Sequence, residues 1–423
     1  MFPKIKKPKN LIYLDHAATT PLDTVVKKAM EPFLGEKFGN PSSLYEKGRE
    51  ARAAIDESRM TIARLIGARP SEIIFTAGGT ESVNLAIFGV ARFANSVGNG
   101  FKPFPTRKIA PHLIASAIEH HCVLNSFQAL AEEGFKTTLA PVDGDGFINI
   151  DKLKAAVRPE TIFISVMLAN NEIGTIQPVI EIGKWLRGLN HQRLANHLSP
   201  ILFHTDACQA AGSLDLNVDR LGVDLMSVNG SKIYGPKQTG FLYVRSGVYL
   251  KPLIYGGGQE AGLRSGTENV AGIVGLAKAF ERAQDEKLRN LEIRKLGHLQ
   301  GYLIKEIKKK IKGALLNGPD NLKLEVNSQN NNYKSSADTV IRRLPNNVNF
   351  TFKGVEGESL MLYLDSYGIA VSTASACSTG TTDPSHVLLA IGRSPDEAKS
   401  SIRFSLGKTT TKKDWDYLIY GVA

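Results

Sequence analysis

Lys232 stands in SVNGSKIYGPKQTG, a polar turn bracketed by glycines that follows the apolar run LGVDLMSV. A lysine there is ordinarily a solvated loop residue. An amine at the end of an α/β strand also suits one demanding task, a Schiff base with a carbonyl cofactor such as pyridoxal phosphate. That task needs three companions: an anion site for the phosphate, a carboxylate for the pyridinium nitrogen, and a flat group to stack on the ring. EIIFTAGGTESVNLAIFG reads strand, glycine turn, helix, so the N–H groups of Gly79 and Thr80, the Thr80 hydroxyl and the helix dipole would cradle an anion. Gly-Gly-Thr also serves as a capping device. ILFHTDACQAAG ends an apolar strand at Asp206, which could keep a ring nitrogen protonated or cap the next helix. Gln209, three residues on, could meet the ring's phenolic oxygen.

HLIASAIEHHCVLNS brings Glu119, His120 and His121 to another strand end. An imidazole can lie flat on a pyridine ring and move protons near neutral pH, whereas His121 could be ordinary packing. Asn171, in MLANNEIG, could hold a ring substituent or a substrate carboxylate. Thr267, in GGGQEAGLRSGTENV, offers a hydroxyl that could reach a neighbouring subunit's phosphate. GIAVSTASACSTG surrounds Cys377 with residues too small and polar to pack a core, which favours a reactive thiol on an exposed loop. Cys122 and Cys208 follow apolar strands, where a cysteine is usually inert. In SSIRFSLG, Arg403 has the fork to clamp a carboxylate. A Schiff-base lysine, a carboxylate clamp and a mobile thiolate together imply an amino-acid substrate losing a soft atom to sulfur.

The elements that must position these residues are short. EIIF, HLIAS, TIFISVML and PILFH are apolar, β-branched runs of the kind buried in a parallel sheet, with helical segments between them. EARAAIDESRMTIARLIG has helical spacing, and Gly67 supplies its stop. After about residue 285 the texture changes to a long charged helix, a polar insertion (NLKLEVNSQNNNYKSSADTV), the strand VNFTF and a mixed segment. The expected architecture is α/β: a large three-layer α/β/α domain with a mainly parallel sheet over residues 16–285, and a smaller α+β domain from residues 1–15 and 286–423 that carries the cysteine loop. The 423 residues are 42% hydrophobic and 22% charged, with no apolar run near the roughly 20 residues of a membrane span. MFPKIKKPKN has neither the apolar stretch of a secretory signal nor the make-up of an amphipathic presequence, so a cytoplasmic protein is expected. Net charge is +11, from 52 Lys+Arg against 41 Asp+Glu. The basic residues are scattered, and KEIKKKIKG reads as one wet face of an amphipathic helix, so no nucleic-acid partner is expected. Three cysteines, far apart, make neither a disulfide framework nor a zinc knuckle, and no metal is expected.

YLDHAATTP, FGNPSS, FTAGGTESVNLAI, EHH, NNEIGTIQP, DACQAAG, SKIYGPK, GGGQEAGLRSGTEN and SACSTG, in this order, resemble the pyridoxal-phosphate-dependent cysteine desulfurases, a family of class V aminotransferases on the fold-type I scaffold. The SACSTG-type loop resembles the branch that feeds iron–sulfur cluster assembly and tRNA thiolation. The resemblance implies Lys232 as Schiff-base lysine, His120 stacked on the ring, Asp206 on the pyridine nitrogen and Gln209 on the phenolic oxygen. It implies Gly79, Thr80 and Ser231 on the phosphate, completed by Thr267 of a second subunit in a homodimer. Asn171 would also touch the cofactor and, with Arg403, would hold the carboxylate of L-cysteine. Cys377 would take the sulfur as a persulfide, leaving alanine, and pass it to an acceptor such as an iron–sulfur scaffold or a tRNA-thiolation enzyme. A thiol of ordinary pKa, about 8.5, needs a proton acceptor, for which His120 is the candidate. The alternative is a selenocysteine lyase or another class V lyase, which would keep the Lys232 site without needing Cys377. Two positions depart from the family: Ser231 stands where a histidine is usual, and Ala261 where an arginine is common.

Overall fold

A computed structural model describes residues 11–97, 110–320, 342–373 and 383–422. The chain starts with a two-residue strand, β1 (Ile12–Tyr13), and two helices, α1 (Thr24–Leu34) and α2 (Glu46–Ile66). Asp23 caps α1 by accepting the Val25 N–H, and Gly67 ends α2 in the left-handed conformation at φ 72° that its lack of a side chain allows. Strand and helix then alternate: β2 (Ile73–Thr76), α3 (Gly79–Val97), β3 (His112–Ser116), α4 (His121–Glu132), β4 (Lys136–Ala140), α5 (Ile150–Ala156), β5 (Thr161–Ser165), α6 (Val179–Ala195), β6 (Leu202–Asp206), α7 (Val218–Leu221), β7 (Leu225–Asn229) and β8 (Gly240–Val244). α8 (Val270–Gln284) follows.

The seven strands β2 to β8 form one sheet in the order β2-β8-β7-β6-β5-β3-β4. The pairs within β7-β6-β5-β3-β4 are parallel, while β8 runs antiparallel to both its neighbours, so β2 points the same way as β7. The apolar runs anticipated as strands are strands. β3, β5 and β8 are buried along their whole length, because helices cover both faces. Ile55, Ile62, Ile66, Phe241 and Phe280 lie in the core on one face; Val83, Ile87, Phe127 and Phe163 lie in that on the other.

Beyond Gln284 the chain turns at Asp285, which caps α9 (Glu286–Lys310) by accepting the Leu288 N–H at 2.9 Å. The remaining elements are β9 (Ala314–Leu316), β10 (Asn347–Phe352), α10 (Gly357–Ser366), β11 (Ile369–Ala370), β12 (Ser372–Thr373), α11 (His386–Ala390), α12 (Pro395–Lys399), β13 (Ser401–Ser405) and α13 (Lys412–Val422). β12-β13-β10-β9 is an antiparallel sheet, and β1 pairs in parallel with β11. Their core is separate: Leu14, Leu303, Ile307, Phe350, Phe404 and a fully buried Trp415. The lysines of KEIKKKIKG face solvent on α9 while Ile304 and Ile307 are buried, as their spacing demands. The polar insertion lies outside the described residues. Among the described residues no helix is long and apolar enough to cross a membrane.

Candidate active site

Because β2, β3, β5, β6 and β7 run in one direction, their carboxyl ends share one edge of the sheet, and Gly79, Thr80, His120, Asn171, Asp206, Ser231 and Lys232 follow those ends. At the end of β2, Gly78 takes φ +136°, a conformation open to glycine, and α3 begins at Gly79. A methyl group on Gly79 would lie 2.6 Å from the Cys208 Sγ, so the helix start is pressed against the turn that follows β6. Ala18, Thr19, Gly79, Thr80, Ser231 and Lys237 line a cavity of about 650 Å3 in front of these amides. Glu81 borders the same cavity, but its charge is engaged: Oε2 accepts the Ala77 N–H at 3.1 Å, and Oε1 pairs with Arg264 at 3.0 Å.

Asp206 closes β6, 7% exposed, with Oδ1 accepting the Cys208 N–H at 2.9 Å. No helix begins there: the bond from the Cys208 N–H closes a turn, and Asp206 stands at the carboxyl edge of the sheet. One pleat below it, His204 is clamped between the hydroxyls of Ser165 (2.9 Å) and Ser227 (3.0 Å), and burial pulls its pKa down to about 4. At the end of β7, Asn229 Oδ1 accepts from the Ser231 N–H (3.0 Å) and hydroxyl (3.1 Å), fixing the turn that presents Lys232. The Lys232 ammonium donates to the carbonyl of Ala18. Gln209 Nε2 donates to the carbonyl of Ala17 at 2.9 Å, and Thr20 binds the Ser231 carbonyl through its N–H (2.9 Å) and hydroxyl (3.0 Å).

The segment from His16 to Thr20 is therefore a wall of the site that sequence reasoning gave no role. It also lines a second cavity, of about 250 Å3, shared with Gln209, Lys232, Tyr234 and Lys408. His16 is 4% exposed, and among the described residues no group is placed within hydrogen-bonding geometry of its ring nitrogens; burial lowers its pKa to about 4 against a smaller opposing effect of the Tyr13 backbone, leaving it neutral. YLDHAATTP sits before any long element, so nothing local signalled that it crosses to the sheet edge.

His120 caps α4 with its ring, as detailed below, and feels Asp206 and Lys232 electrostatically. Burial pulls its pKa down; Asp206 opposes this, and His121 and Lys232 add to it. Beside it Glu119 is fully buried, accepting the Met167 N–H at 2.6 Å, and burial pushes its carboxyl up to about 8. The Glu119 carbonyl takes a hydrogen bond from His386 Nε2 at 2.9 Å, and His386 packs on His121 at 4.7 Å between ring centres. Arg403, almost fully buried, holds Asp15 through Nη2 at 2.7 Å and the Asn171 carbonyl through Nη1 at 3.1 Å. Its fork, expected to be open to a ligand carboxylate, already grips one from the chain itself. Asp15 was not singled out from sequence, and its partner is 388 residues away.

Thr267 is exposed on the loop before α8 and does not border either cavity of its own chain. Ala261, on the same loop, adopts φ 57° after Glu260 at φ 50°. That left-handed pair is held by Glu260, whose carboxylate takes Arg59 at 2.6 and 2.8 Å and the Phe75 N–H at 2.7 Å. Cys377 lies outside the described residues. Burial holds the thiols of Cys122 and Cys208 above the usual range, in keeping with the inert reading.

Residues 12–418 match the family described as aminotransferase class-V. The chain is 48% identical over 411 residues, 97% of its length and 93% of the relative's, to a cysteine desulfurase IscS of Dictyoglomus turgidum. Among solved structures it resembles a NifS-like protein at 34% identity with a TM-score of 0.82, covering 97% of each chain. It also resembles SspA in complex with cysteine at 35% identity with a TM-score of 0.73, covering 93% of this chain and 98% of that one.

Proposed function

We infer, from the premise that this chain belongs to the class-V aminotransferase family, that it is a cysteine desulfurase acting on L-cysteine for iron–sulfur cluster assembly or tRNA thiolation. In the overall reaction L-cysteine and an enzyme thiol become L-alanine and an enzyme persulfide. The observation that supports it most is that the Lys232 amine, the Asp206 carboxylate and the His120 ring, from the ends of β7, β6 and β3, come close enough to act on one another at the sheet edge that holds the start of α3.

The residues present fit pyridoxal phosphate. The cavity at Gly79 and Thr80 offers helix-start amides, hydroxyls on Thr80 and Ser231, the Lys237 ammonium, and a glycine where a side chain would clash. When bound, the cofactor supplies the electron-accepting ring that makes the substrate's Cα proton acidic and its sulfur open to attack. Gly79, Thr80 and Ser231 would hold its phosphate, with Thr267 from a second copy of the chain. Asp206 would face its ring nitrogen, Gln209 its phenolic oxygen, Asn171 its edge, and Lys232 would carry it. The Lys232 amine would be the group that takes and returns the Cα proton. Asn171 and Arg403 hold the substrate carboxylate, which must share the Arg403 fork with Asp15. Cys377 receives the sulfur as a persulfide and delivers it to an acceptor protein. We also propose a homodimer, a cytoplasmic location and a boundary at Asp285 between the large domain and the smaller one that carries Cys377. The switch from the α8 core to the α9 core at this residue supports the boundary.

Protein reconstituted with pyridoxal phosphate is expected to be yellow, to change its visible spectrum on addition of L-cysteine, and to release alanine and sulfide. Lys232→Ala should lose the spectral change and alanine formation together. Absence of colour and of alanine in the reconstituted parent protein would refute the reading.

A further inference from the structure

His120 closes the start of α4 with its imidazole. The ring Nδ1 accepts the Cys122 backbone N–H at 3.2 Å and lies 3.0 Å from the Cys122 Sγ. That N–H belongs to the first turn, whose amides have no carbonyl partner within the helix. A backbone N–H can only donate, so Nδ1 must present its lone pair, and a neutral imidazole then carries its single hydrogen on Nε2. Against that lone pair the thiol is the donor, which agrees with burial holding Cys122 in its protonated form.

We infer that Cys122 is a positioning residue that keeps His120 as the neutral Nε2–H tautomer, so that the ring meets cofactor or substrate as a hydrogen-bond donor and not as a base. Gaining a proton would put a hydrogen on Nδ1 against two donors, the N–H and the S–H of Cys122. Among the described residues, the charged or titratable groups around the ring are Asp206, Lys232, His121 and His386, with the Cys122 thiol on Nδ1. Of these Asp206 alone favours the cation; His121, Lys232 and burial oppose it. Taking the proton of the Cys377 thiol, the task expected of His120 from sequence, therefore passes to another acceptor. The inference rests on the desulfurase reading only for what Nε2–H meets, since the tautomer belongs to the resting chain.

The test is long-range proton–nitrogen spectroscopy of the full-length protein labelled at its nine histidines, with His120 assigned by subtraction of a His120→Gln spectrum. At pH 7 the parent chain should show a protonated Nε2 and a bare Nδ1 at His120. Cys122→Ser, which keeps a donor, should preserve the pattern. Cys122→Ala should raise the His120 titration midpoint by about half a pH unit to one, the effect of one lost hydrogen bond. A protonated Nδ1 in the parent protein at pH 7, as either tautomer or cation, would overturn the proposal. A midpoint in Cys122→Ala equal to the parent's would overturn the thiol's part in it. A chain with the expected pattern that makes no alanine from L-cysteine would sink the desulfurase reading and leave this one standing.

Discussion

Glu119 has a large electrostatic consequence outside the proposed chemistry. Burial raises its folded-state pKa to about 8 from an ordinary 4.5, so the folded chain holds a proton that the unfolded chain gives up. Stability from this group is complete below about pH 4.5 and declines as pH rises toward 8. Glu119→Gln mimics the protonated carboxyl and can still accept the Met167 N–H. Its thermal midpoint is expected to fall less than the parent's between pH 5 and pH 8, by an amount on the order of a few kcal/mol when read as unfolding free energy. Parallel pH slopes in calorimetry would show that the carboxyl is not protonated in the fold. A carboxylate that ends a buried strand was visible in HLIASAIEHH; its isolation was not, because that depends on Met167 and Ser165 arriving from β5 and the turn after it.

Close approaches between elements decide what happens at two glycines. A side chain on Gly183, inside α6, would come within 2.4 Å of the Leu221 carbonyl at the end of α7. Alanine gains about 1 kcal/mol of helix propensity there, but overpacking against a backbone costs about 1–3 kcal/mol. Gly183→Ala should therefore lower the thermal midpoint and leave turnover per folded molecule unchanged. Gly79→Ala meets the Cys208 Sγ at 2.6 Å instead, and that atom can be removed. The single variant is expected to retain pyridoxal phosphate poorly, and Gly79→Ala with Cys208→Ala to recover it; equal losses in single and double variants would show that the clash is not the cause. Strands, helices and the parallel sheet were legible because β-branched runs and 3.6-residue spacing are local signals. The antiparallel course of β8 was not, since GFLYV reads the same in either direction. Lys232, Asp206 and His120 were legible for a related reason: each ends an apolar strand, and parallel strands end on one edge.

At the scale of the whole molecule, the ion pair of Asp15 with Arg403 ties the first strand to β13. Arg403→Ala leaves a carboxylate that is 19% exposed without its partner, and removing one member of such a buried pair costs about 3–5 kcal/mol, nearer the lower figure where water reaches the survivor. Loss of that size should appear in denaturant unfolding before any substrate is added. Arg403→Lys keeps the charge and loses the fork, so a raised KM for L-cysteine with nearly parental stability would support the carboxylate-binding role, and an unchanged KM would remove it. Sequence order hid this link, because no local pattern joins residue 15 to residue 403. It also sets a timetable. A ribosome releases Ile12–Thr20 long before their partners, since β1 pairs only when Ile369–Ala370 emerges, and Asp15 waits for Arg403 and Ser405. The large sheet, complete by Val244, can condense during translation with that wall still unbuilt. A nascent chain would thus stay catalytically silent until residues 369–405 had cleared the exit tunnel, long after the large sheet had emerged.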